Sequence, residues 1–225
     1  MRIFAPDRTI PTNRIIIPEQ IENYQSKEAL INLAVHSKQL KIKTTPDKPL
    51  LLFTGGARDF FHNAVLNQLY LHYAARNSHN YHIAYATHAA NDGIVALIQK
   101  WHKANQRIYL VGHSWGGSRL MKVIHKEAKN IPIECLITLD PVSRLTRGRD
   151  YKHPKNVKLW ANSYIDYNNV GLNIPNIVAI IGGHWLACPA ADYNFAVSHY
   201  QQQEVNHMNA WALFKKTKRF IPDFH

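Results

Sequence analysis

Six short apolar runs, several of them apolar on both faces and separated by longer segments of helical period, constrain this chain more than any other feature. They are PLLLFT (49–54), YHIAYAT (81–87), RIYLV (107–111), IPIECLITL (131–139), NVKLWANSYI (156–165) and NIVAII (176–181). A strand with one face in water alternates apolar and polar residues, whereas a strand covered on both faces by helices has no reason to. The segments between the runs predict helices at 59–77, 91–105 and 115–129, the last with Leu120, Met121, Ile124 and Ala128 along one stripe. Two more helices are expected, at about 18–40 and 206–216. Strand and helix in alternation imply an α/β class: a mostly parallel central sheet, right-handed crossovers, and helices on both faces.

Length and composition fit one unit of this kind. The 225 residues are 46% hydrophobic and 19% charged, far from the composition of a disordered chain. With no repeat, low-complexity tract or dividing linker, the expectation is a single domain over 1–225, in which 1–47 is an N-terminal extension packing on the core. No stretch reaches the roughly 20 apolar residues of a membrane span, and MRIFAPDRTIPTNR lacks the apolar centre of a secretory signal. The default expectation is therefore a cytoplasmic location, with signal-independent export left open. Cys135 and Cys188 are read as two reduced thiols.

Charge bounds the partners. Lys and Arg number 27 against 15 Asp and Glu, a formal net charge of +12. Such a field draws anionic surfaces without specifying one. An anionic membrane surface is one expected partner; a nucleic acid is not expected, because no nucleic-acid motif is present. The densest basic runs, RLTRGRDYKHPK (144–155) and KKTKR (215–219), read as solvated faces.

Within RIYLVGHSWGGSRL, Gly112-His113-Ser114-Trp115-Gly116 sits where an apolar run gives way to a helix. A serine in a tight strand-to-helix turn has its hydroxyl pushed out above the sheet, and small flanking residues let strand and helix approach. Ser114 is thus the candidate nucleophile. It precedes a helix whose free amides favour developing negative charge, which makes the Trp115 N–H an oxyanion donor. A second donor is expected after an upstream strand, and LLLFTGGARDFF offers the N–H of Gly56 or Ala57.

A nucleophilic serine needs a base, and the base needs a carboxylate to hold its tautomer. Asp140, at the end of LITLDPV, is the preferred acid, and Asp166, at the end of NVKLWANSYI, is its competitor. Of 14 histidines, His207 is preferred as base because it lies between polar residues just before a late helix. His184, directly after NIVAII, is the rival, and His199 in FAVSHY is a third option. His113 is expected to line the site or pack beneath it. No H-E-x-x-H, paired C-x-x-C, G-x-G-x-x-G or P-loop occurs, so neither metal nor cofactor is expected.

The motifs GHSWGG (112–117), FTGGARD (53–59), LITLDPV (136–142) and NHMNAW (206–211) together resemble the α/β-hydrolase superfamily, and within it the lipase-like branch, over about residues 48–216. The resemblance implies acyl transfer to water on carboxylic esters, and an aspartate-proline like Asp140-Pro141 as the triad acid. Lipid or phospholipid acyl esters are the expected substrates, because Trp115, Phe60, Phe61 and Trp185 near the sheet edge would meet an acyl chain and the positive charge would draw anionic phospholipid; the alternative reading places those aromatics in the core. The chain departs from many lipases in having no long lid insertion; residues 143–155 are the one candidate for a short cap, and they are basic. A non-catalytic module of the same fold, using its basic surface to bind anionic membrane or nucleic acid, is the competing expectation.

Overall fold

The computed structural model describes residues 14–18, 35–36, 42–57, 59 and 64–225. Among these, eight strands form one sheet. They are β1 (Ile15–Ile17), β2 (Val35–His36), β3 (Leu50–Gly55), β4 (His82–Thr87), β5 (Ile108–His113), β6 (Cys135–Leu139), β7 (Trp160–Ile165) and β8 (Tyr193–Val197), in the order β2-β1-β4-β3-β5-β6-β7-β8. From β4 to β8 every neighbouring pair is parallel. β1 joins antiparallel to β4, so part of the N-terminal segment enters the sheet itself. A small hairpin, β9 (His199–Tyr200) with β10 (Gln203–Glu204), follows β8.

Parallel strands need crossovers, and helices supply them except between β6 and β7, where a loop with one short 3-10 turn (Gly148–Asp150) makes the connection. A π-helical turn (Leu66–Leu71) runs into α1 (His72–Asn77); α2 (Asn91–Lys103), α3 (Trp115–His125), α4 (Ile174–Ile181) and α5 (Ala210–Thr217) follow. The period of two in each strand divides its residues between two cores. Leu51 and Phe53 of β3 join Tyr70, Tyr73, Leu213 and Phe214 on one face. Leu50 and Leu52 join Ile94, Leu97, Trp101, Leu120 and Ile124 on the other. The double-sided apolar runs were the sequence signature of this arrangement.

Chain order reverses about β3: β4 lies on one side of it and β5 on the other. In open α/β sheets the crevice at such a reversal, beyond the carboxyl ends of the strands, is where ligands bind. Gly55-Gly56 and Ser114 stand at the carboxyl ends of β3 and β5.

Several expectations need correction. NIVAII is helix α4, not a strand, although its isoleucines and valine favour strands. The Asn173 side chain accepts the Asn176 N–H at 3.0 Å, and Pro175 opens the first turn, so a capped start overrides side-chain preference. The place beside β7 belongs to Tyr193–Val197 instead. Of the helix expected at 18–40, Val35–His36 pairs with β1, and residues 19–34 and 37–40 lie outside the described ones. The helix expected at 59–77 contains the π-helical turn, and residues 60–63, with Phe60 and Phe61, also lie outside. None of the described helices is long and apolar enough to cross a membrane.

The elbow fixes how closely α3 meets β3. A Cβ on Gly116 would run into the Thr54 carbonyl oxygen and come within 2.9 Å of the Gly55 oxygen. Backbone atoms yield little, so Gly116→Ala is expected to destabilise the fold by about 1–3 kcal/mol. Thermal unfolding checks this, since each kcal/mol lowers Tm by about 2–4 °C in a chain of this size. An unchanged Tm would contradict the tight passage.

Candidate active site

Ser114 directly follows β5 with φ 55° and ψ −129°, a backbone conformation that residues other than glycine rarely adopt. Neighbours hold it there. Its N–H donates to the Leu139 carbonyl at 3.0 Å, and its own carbonyl accepts from Gly117 and from Val142, each at 3.1 Å. Gly56 backs the side chain so closely that a Cβ there would lie 2.9 Å from the Ser114 Oγ.

His207 faces that hydroxyl. Its Nε2 is 2.9 Å from Ser114 Oγ, and its Nδ1 is 2.6 Å from Asp140 Oδ2. A carboxylate accepts only, so Nδ1 carries the proton and Nε2 presents a lone pair to the serine O–H. Asp140 is fully buried and also sits at positive φ, 40°. Burial of an ionised carboxylate is costly unless donors surround it. Here the Ile165 N–H donates to Oδ1 at 3.1 Å and the Tyr167 hydroxyl to Oδ2 at 2.6 Å. Burial, then the Asp140 charge, raises the Tyr167 pKa, so the phenol stays protonated and donating.

Three further contacts position the His207 loop. The His207 N–H donates to Asn176 Oδ1 at 2.9 Å, His113 Nε2 donates to the His207 carbonyl at 2.7 Å, and Gln68 Nε2 donates to the Met208 carbonyl at 2.9 Å. Asn176 belongs to α4 and Gln68 to the π-helical turn, so two separate elements hold this loop. Burial is the main cause that lowers His113 to about 3, with the nearby His207 as a lesser one.

The structure thus brings Ser114, His207 and Asp140 into one hydrogen-bonded line and leaves their rivals out. Asp166 caps its own turn, accepting from the Asn168 N–H at 3.3 Å and the Asn169 amide at 2.6 Å. His184 packs on Tyr167, ring centroids 4.5 Å apart, and burial lowers its pKa. His199 is exposed and touches Ser198 Oγ. Sequence reasoning missed Tyr167 and Asn176; the N-x-x-N spacing from Asn173 to Asn176 marks a helix start but not its second use.

A cavity of about 610 Å³ opens at the serine. Gly56, Ala57, Trp115 and His207 line it beside Ser114, and Ile174, Pro175, Val178 and Met208 form an apolar wall. Trp115 opens α3, so its N–H has no partner within the helix. The wall is α4, not residues 143–155, so the nearest thing to a cap is apolar. Trp185 is 1% exposed and packs with the opposite core, away from this cavity.

The sheet order, the turn at Ser114 and the histidine loop after the last parallel strand together define the α/β-hydrolase fold. No family model and no curated protein sequence matches the chain. Among solved structures it is similar to Est1E from Butyrivibrio proteoclasticus, over 78% of this chain and 89% of that one, at 14% identity and a TM-score of 0.44. It is also similar to the mature form of the lipase BlEst2 from Bacillus licheniformis, over 79% and 92% of the two chains, at 14% identity and a TM-score of 0.48. At that level of overlap, the chemistry rests on this chain's own geometry.

A depressed histidine has a stability consequence. His113 titrates near 3 in the fold, below the ordinary value of 6.5, so between those pH values the unfolded chain binds a proton that the folded one refuses. Stability is full above about pH 6.5 and falls as pH drops toward 3, by up to about 1.4 kcal/mol per pH unit for one such group. His113→Gln keeps an N–H for the His207 carbonyl and removes the titration. Denaturant unfolding from pH 7 to pH 4 is expected to show a shallower loss in this variant; equal slopes would refute the assignment.

Proposed function

We propose that the chain is a serine hydrolase that cleaves carboxylic esters, with acyl groups of lipid type as substrates. The observation that carries this reading is the unbroken line from Ser114 Oγ through His207 to Asp140, at 2.9 and 2.6 Å, beside an open cavity. His207 Nε2 takes the hydroxyl proton as Oγ bonds to the ester carbon. The carbonyl oxygen gains the negative charge and lies against the N–H of Trp115 and that of Gly56 or Ala57. As the carbonyl reforms, the bond to the alcohol oxygen breaks, and Nε2 returns its proton to that oxygen. Water then repeats the sequence on the acyl-serine, with His207 again as base, and releases the acid and free Ser114.

Asp140 remains ionised throughout and steadies the imidazolium. The lipid preference is supported by the apolar wall of Ile174, Pro175, Val178 and Met208. It is supported also by the outer face of α4, where Ile174 is 77%, Val178 61% and Ile181 65% exposed. An apolar strip beside a catalytic mouth suits a substrate with a hydrocarbon chain.

A fluorophosphonate probe is expected to label the wild type and to leave Ser114→Ala unlabelled. Asp140→Asn is expected to lower kcat on p-nitrophenyl esters by about 10⁴-fold, because the wrong imidazole tautomer then faces the serine. Longer acyl chains should give higher kcat/KM than acetate. Labelling that survives Ser114→Ala would remove the nucleophile, and a preference for acetate would remove the lipid assignment.

A further inference from the structure

A second cavity, of about 660 Å³, adjoins the first and has no part in the steps above. Trp115 and His88 line both cavities, their rings 5.3 Å apart, so the two meet at the start of α3 beside the nucleophile. Both have apolar lining, Val142 and Leu145 in the second, and they differ in charge. Where the first has the apolar wall of α4, the second is edged by Arg119, Lys122 and Lys126, and by Arg144 from the loop after β6.

Arg119 and Lys122 of α3 lie one turn apart on one helix face, and Lys126 follows directly after the helix end. A solvated surface usually intersperses both signs of charge. Here neither Asp nor Glu lines the cavity. The guanidinium of Arg119 is held at 3.5 Å by the Asn91 side chain, and its charge adds to burial in lowering the His88 pKa. The cationic field therefore reaches the wall that the two cavities share.

We infer that this basin is the leaving-group subsite of the ester hydrolase proposed above, and that it selects an alcohol bearing a phosphate. The acyl chain lies in the apolar cavity at Ser114, the ester carbon at the junction by Trp115, and the phosphate among Arg119, Lys122, Lys126 and Arg144. Guanidinium and ammonium groups suit a phosphate by charge and by hydrogen bonding. The subsite rests on the hydrolase reading, and the two can fail separately.

The test compares dihexanoylphosphatidic acid with dihexanoylglycerol, both kept monomeric, so that no lipid surface contributes. Wild type is expected to favour the phosphate-bearing ester by about tenfold or more in kcat/KM, mainly through KM. That ratio should collapse toward one in a Lys122→Glu, Arg144→Glu double variant. It should persist in Lys103→Glu, an exposed reversal at the end of α2 that lines neither cavity. Inorganic phosphate should compete with the phosphate ester in the wild type and not in the double variant. Equal ratios in wild type and double variant would overturn the subsite, as would an equal loss in Lys103→Glu or a preference seen only with vesicles. If fluorophosphonate still labels Ser114 in that case, the subsite alone falls. If neither ester turns over and Ser114 stays unlabelled, the hydrolase reading falls and takes the subsite with it.

Discussion

The close passage of α3 against the carboxyl end of β3 is the constraint on which the rest of this structure depends. Gly116 lies where any side chain would collide with the Thr54 and Gly55 carbonyls, and Gly56 lies where one would collide with Ser114. That proximity leaves Ser114 at φ 55°, a strain the surroundings must offset. They do so through backbone bonds to the ends of the neighbouring strand and loop, with Leu139 accepting and Val142 donating. The Ser114 hydroxyl is thereby fixed beside the point where chain order reverses.

The second demand is electrostatic. A fully buried carboxylate, Asp140, can remain charged only with donors on every side, and it has the Ile165 amide, the Tyr167 hydroxyl and the His207 ring. These donors come from the end of β7, the loop that follows it, and the loop before α5, so the site ties the carboxyl edge of the sheet to the late part of the chain. His113, kept neutral by burial, fastens the same loop from beneath by donating to the His207 carbonyl. Two histidines 4.8 Å apart then have distinct tasks, one facing the serine and one holding the other in place.

Much of the fold was legible because its signal is local. Double-sided apolar runs marked β3, β4, β5, β6 and β7, and the glycines around Ser114 marked the turn. The residues brought together at Ser114, His207 and Asp140 were also the ones that motif position had favoured. What eluded the sequence was either non-local or decided by a competition. Asn176 meets His207 across 31 positions and His113 meets it across 94, and nothing in either local pattern announces the partner. NIVAII misled because β-branched composition pointed to a strand, while the outcome was set by one capping asparagine and one proline just before it. Its outward Val178, with Ile174 just before the run, is part of the cavity wall, a role a buried strand could not have had. Arg144, from a basic run that read as a solvated face, edges a cavity next to the serine.

In the proposed mechanism the Ser114 hydroxyl becomes the oxygen of an acyl ester during turnover. Mixing the protein with excess p-nitrophenyl hexanoate, quenching in acid within milliseconds to seconds, and measuring intact mass followed by peptide mapping tests it most directly. A transient gain of one hexanoyl group on the peptide containing Ser114, absent after Ser114→Ala, is the expected result. Turnover of the ester with no acylated species at any time point, or an acyl group mapped to another residue, would contradict it.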